Sequence, residues 1–90
     1  MHKLERWLKF TKGQQIGAIT AELMRAEIYQ KQEKSNSLSA MERAIDLIDL
    51  TIDDKRWQGQ RAMLFWLRDE ICKFYLGINK NKLASIYKGL

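Results

Sequence analysis

One stretch constrains this chain more than any other. It runs from Trp57 to Gly77 and reads WQGQRAMLFWLRDEICKFYLG. Leu64, Leu67, Ile71 and Phe74 recur at 3-4-3 spacing, which sets them on one side of a helix. Trp57 and Tyr75 fall on the same side. Phe65, Cys72 and Leu76 make a second apolar side. A helix that is apolar on two sides must be covered from two directions, so the other segments are expected to be its packing partners.

The other segments also read as helices. The 90-residue sequence contains no proline and five glycines, which favours long uninterrupted helices. Leu4, Trp7 and Leu8 share one side of a short helix over about 3–10. Thr11 and Gln14 form a capping-box pair, in which the hydroxyl accepts from the third backbone N–H and the Gln side chain reaches back. A long helix is expected from there, over about 12–34, with Ile16, Ile19, Leu23, Ala26 and Gln30 along its inner seam. Ser35-Asn-Ser-Leu-Ser39 reads as a linker. Ser39 and Glu42 make a second capping box and open a helix over about 40–53, with Met41, Ala44, Ile45, Ile48 and Ile52 inward. The two-sided helix follows over about 55–76, with Gly77 as its stop. Asn79 or Asn81 can cap a last short helix over about 81–88, which carries Leu83, Ile86 and Tyr87. Short linkers between long helices imply antiparallel neighbours. The expected fold is therefore all-α, a single up-down-up three-helix bundle with short N- and C-terminal helices.

Charged and apolar side chains in unusual places suggest contacts. Glu27 lies close to the seam of its helix, and Arg68 lies beside Leu64, Ile71 and Tyr75. Opposite charges that face their cores invite a structural ion pair between Glu27, or a nearby carboxylate, and Arg68. Such a pair would set register more than add stability, because desolvation offsets much of the attraction. Leu47 and Leu50 fall on the far side of their helix from its core face. Either the N-terminal helix or a second subunit must cover them. With Phe65 and Leu76 they are the candidate oligomer contacts.

The chemistry on offer is thin. One histidine and one cysteine cannot make a zinc site. A nucleophile-and-base arrangement would rest on His2 at the very start. Gly13 and Gly17 lack the lysine-bearing motif of a phosphate loop. Glu42, Asp46, Asp49 and Asp53 form an acidic stripe, but helical-bundle metal sites at such spacing add a Glu-x-x-His that is missing here. The stripe reads as a solvated or salt-bridging face, and Cys72 as a buried filler. No cofactor, metal or enzymatic activity is expected.

Charge suggests a second class of partner. The net charge is +5, yet residues 35–54 carry five acids and one base. The basic ends could meet a polyanion. Lys3, Arg6, Lys9, Lys12, Lys80, Lys82 and Lys88 would contact phosphates, with Trp7 or Tyr87 stacking on bases. A single cysteine suits a reducing compartment. No apolar run approaches the ~18 residues of a membrane span, and the start has no signal-peptide core. Both point to the cytoplasm.

Three segments carry a resemblance: GQQIGAITAELMRA (13–26), ERAIDLIDLTIDD (42–54) and LRDEICKFYLG (67–77). Together they resemble an uncharacterised family of small bacterial and archaeal helical proteins. Glu22, Arg25, Arg43, Asp49, Thr51, Arg68 and Cys72 match its pattern, whereas Glu70 and Lys73 depart from it. The resemblance implies an all-helical fold and supplies no activity. The expected role is a non-enzymatic helical adaptor that self-associates, most simply as a dimer, and binds a protein partner. The alternative is an accessory protein for nucleic acid, RNA first.

Overall fold

The computed structural model describes residues 2–78 and 83–88, and every regular element among them is helical. In order they are α1 (His2–Leu8), α2 (Lys12–Gln30), α3 (Lys34–Ile52), a 3-10 helix (Lys55–Gln60), α4 (Arg61–Tyr75) and α5 (Ala84–Tyr87). None is long and apolar enough to cross a membrane.

Local chemistry explains several of these boundaries. The Thr11 hydroxyl accepts from Gln14 N at 3.1 Å, and Gln14 Oε1 accepts from Thr11 N at 2.9 Å. This reciprocal pair satisfies two donors that the first turn of α2 would otherwise leave open. Gly77 ends α4 with φ +75. Ile78 N donates to Lys73 O at 2.9 Å and Gly77 N to Phe74 O at 3.1 Å, which closes the last carbonyls in a Schellman motif.

The break between α2 and α3 comes earlier than the linker expected at 35–39. α2 stops at Gln30 and α3 starts at Lys34, so Gln30 is exposed rather than on the inner seam. Gln32 N and Glu33 N both donate to Tyr29 O, which ends α2. Ser35 and Asn36 side chains then donate to the Glu33 carboxylate. Ser37 is buried, and its hydroxyl donates to Ala26 O at 2.8 Å. That bond ties the start of α3 to α2. The Ser39–Glu42 box therefore lies inside α3 and caps nothing.

The core centres on α3, which touches α1, α2, the 3-10 helix and α4, while α5 packs on α2. Leu64, Leu67, Ile71 and Phe74 of α4 are buried, as are Met41, Ala44 and Ile48 of α3 and Ile19, Leu23 and Ala26 of α2. Ile45 and Ile52 are partly buried against this cluster. Each fully buried Leu or Ile stabilises the fold by roughly 1.5–3 kcal/mol relative to an exposed one. Among the described residues α4 is covered on its inner side only. Its second apolar side stays outside, with Phe65 52% and Leu76 69% exposed.

Candidate functional site

A buried polar junction clasps α1 to the bundle. Gln15 on α2 is fully buried. Its amide nitrogen donates to Trp7 O at 2.9 Å and to Asp54 Oδ2 at 3.0 Å. Its amide oxygen accepts from Trp57 Nε1 at 2.6 Å. An indole N–H only donates, so the oxygen of Gln15 must face Trp57. Trp7 Nε1 donates to Thr51 Oγ1 at 2.8 Å. Among the described residues no buried side-chain polar atom lacks a partner.

Asp54 anchors the lower half of this junction. It precedes the 3-10 helix, and its carboxylate accepts from Arg56 N at 2.9 Å and from the Arg56 guanidinium at 2.7 Å. Arg56 also reaches Leu8 O at 3.2 Å. The Arg56 guanidinium, above all, holds the Asp54 carboxyl well below the ordinary carboxylate range; burial opposes this, and Gln15 adds to it. Every polar group here is spent on structure. The composition of Gln15 and Asp54 carried no sign of this role, since both types usually sit at the surface.

The clasp leaves an open groove of about 300 Å³ between α1 and α3. Trp7, Phe10, Leu47 and Leu50 form an apolar floor. Lys3 and Arg6 of α1 stand on one rim, and Glu22, Arg43 and Asp46 on the other. Glu22 is nearly buried and accepts from Arg43 Nε at 2.6 Å and from Arg25. Lys3, Arg6 and Asp46 have no ion pair among the described residues. Leu47 and Leu50 are only half-buried, so α1 covers them in part and leaves their edges open.

The expected pair of Glu27 with Arg68 does not form, and a carboxylate on α3 takes the place of Glu27. Arg68 Nε donates to Asp49 Oδ1 at 2.7 Å, which joins α4 to the neighbouring α3. Glu27 instead accepts from Ala84 N at 3.0 Å and from Tyr87 OH at 2.8 Å, holding α5 on α2. The Arg68 guanidinium is pushed up from its usual value by Asp49, and Glu27 raises the Tyr87 phenol by accepting a hydrogen bond from it. The acidic stripe is divided. Glu42 accepts from Tyr75 OH and Asp49 from Arg68, while Asp46 and Asp53 are exposed. No group of three or more metal-ligating side chains converges among the described residues.

The basic set is altered too. Trp7 is 4% exposed and hydrogen-bonded, so it is no stacking platform. Tyr87 is partly buried and bound to Glu27. Lys12 donates to Gln60 Oε1 and sits 4.5 Å from the centre of a Trp57 ring, a cation–π contact. Lys3, Arg6, Lys9 and Lys88 are exposed. Lys80 and Lys82 lie outside the described residues. Cys72 is half-buried rather than a core filler, with Arg68 Nη1 at 4.0 Å from its sulfur.

Comparison of the chain with models of known families, with curated proteins and with solved structures finds no match.

Proposed function

We propose that this chain is a non-enzymatic helical adaptor that associates with itself and binds a macromolecular partner. The groove between α1 and α3 carries this reading. Its floor holds large apolar side chains that α1 leaves partly open, and its α1 rim holds two cations, Lys3 and Arg6, with no ion pair among the described residues. An amphipathic segment with one or two apolar anchors flanked by carboxylates fits that chemistry. The short connection at 31–33, and the link at 53–60 that contains the 3-10 helix, support an up-down-up frame of α2, α3 and α4. The lone cysteine supports a reducing compartment, the cytoplasm. Membership of the uncharacterised helical family belongs to this proposal and brings no activity with it.

The nucleic-acid alternative rests on Lys3, Arg6 and Lys9, three exposed cations with no ion pair among the described residues. It loses Trp7 as a stacking surface.

Fluorescence anisotropy with three labelled probes tests the choice: an acidic amphipathic peptide, its basic counterpart and a single-stranded RNA. The adaptor reading expects the acidic peptide to bind first, and Leu50→Lys or Arg6→Glu to weaken it about tenfold or more. RNA binding first, falling steeply with salt, would favour the alternative.

A further inference from the structure

The outer side of α4 carries a second seam. Ala62, Phe65, Asp69, Cys72 and Leu76 follow 3-4-3-4 spacing, the pattern by which one helix lies along another. The inner seam of the same helix is buried in the core, whereas Phe65 and Leu76 stand half or more exposed. Asp69, between them, makes no hydrogen bond or ion pair among the described residues. Among the described residues Lys73 makes one ion pair, a 3.4 Å contact with Glu70 of its own helix.

We infer that this seam is the interface with a second copy of the chain, its α4 lying antiparallel. This rests on the self-association proposed above and names the surface that performs it. Its four positions Phe65, Asp69, Cys72 and Leu76 are spaced 4-3-4, the same in both directions about a point between Glu70 and Ile71. A two-fold axis there sets Phe65 of each copy against Leu76 of the other, and Asp69 of each against Cys72 of the other. Lys73 of the second copy then lies beside Asp69. Opposite charges thus meet across the axis twice, and the two apolar layers flank them. A parallel pairing instead brings Asp69 onto Asp69, which is unfavourable. Few large side chains are buried by such a short seam, so the dimer is small and weak, with dissociation at roughly micromolar concentration or above.

Sedimentation equilibrium of the full chain, from micromolar to near-millimolar protein, tests this on wild type, Phe65→Glu, Asp69→Lys, Lys73→Asp and the double charge swap. Wild type should dimerise. Asp69→Lys and Lys73→Asp should each weaken the dimer about tenfold, and the double swap should recover most of the loss. Phe65→Glu should be monomeric. All three positions are exposed, and circular dichroism checks that helicity is kept. A wild-type dimer indifferent to the single charge reversals, or not rescued by the swap, would overturn the α4 seam and leave self-association standing on another face. A wild type that stays monomeric would overturn both, and leave the seam to a different protein.

Discussion

The indole N–H of Trp7 donates a hydrogen bond to the hydroxyl of Thr51, forty-four residues away, at 2.8 Å, and the Thr51 hydroxyl donates in turn to Leu47 O at 2.7 Å. This chain of two bonds fixes α1 across α3. It also decides how much of Leu47 and Leu50 is covered, because Trp7 and both leucines share one groove. A structural contact inside the bundle therefore shapes the surface offered to partners.

Replacing Trp7 with phenylalanine should remove the indole donor and leave a smaller ring in the same place. The expected cost is about 1–3 kcal/mol, from the lost hydrogen bond and the cavity. Urea unfolding, followed by circular dichroism, measures it. An unchanged midpoint would mean that α1 contributes little to the stability of the core.

Asp54 predicts an acid limb. Its folded carboxyl titrates below its ordinary value because Arg56 and Gln15 donate to it. Its contribution is thus complete above the unfolded value of about 4, and is lost as pH falls below that toward the folded value. Asp54→Asn should cost about 1–3 kcal/mol at neutral pH, since an amide nitrogen would face existing donors. It should also flatten the loss of stability below pH ~4. Equal acid limbs in both proteins would contradict the assignment.

Glu27 holds α5 through one backbone and one side-chain bond. Glu27→Ala should speed amide exchange across Ala84–Tyr87 while α3 and α4 keep their protection, because opening of an end element is local. Hydrogen exchange read by NMR checks this. Equal acceleration throughout would show that Glu27 supports the whole fold instead.

Gly77 sits at φ +75, with open space where a side chain would start. Gly77→Ala should therefore cost about 1–2 kcal/mol through backbone strain alone, without steric conflict. Thermal unfolding at matched pH would show it, and an unchanged Tm would speak against the Schellman closure of α4.

Periodic and capping signals made much of this fold legible. The 3-4-3 seam of Leu64, Leu67, Ile71 and Phe74 is the buried face of α4, and Thr11 and Gln14 form the box their spacing suggested. Partners set by tertiary contact were not legible. Ser37 looks like linker in sequence, yet it starts α3 by bonding Ala26 O, a partner no local window contains. The Ser39 box was a sound local signal overridden by that contact.

The same limit governs the candidate site. Charge near a seam correctly marked Glu27 and Arg68 as residues with structural partners. Which partner each takes depends on helix order in space, and α5 and Asp49 are nearer. Gln15 gives no such signal, because a glutamine one position from the seam looks solvated until two tryptophans and an aspartate converge on it. That Phe65 and Leu76 lie on a second apolar side follows from the two-sided pattern; the expectation that other segments cover that side does not hold among the described residues.

The central claim is self-association without nucleic acid. Sedimentation velocity of the unmodified chain over a wide concentration range, read at both protein and nucleic-acid wavelengths, tests it most directly. The mass should shift with concentration from one chain to two, with the absorbance ratio of protein alone. A one-chain mass at every concentration, or a boundary that carries salt-removable RNA or DNA, would contradict it.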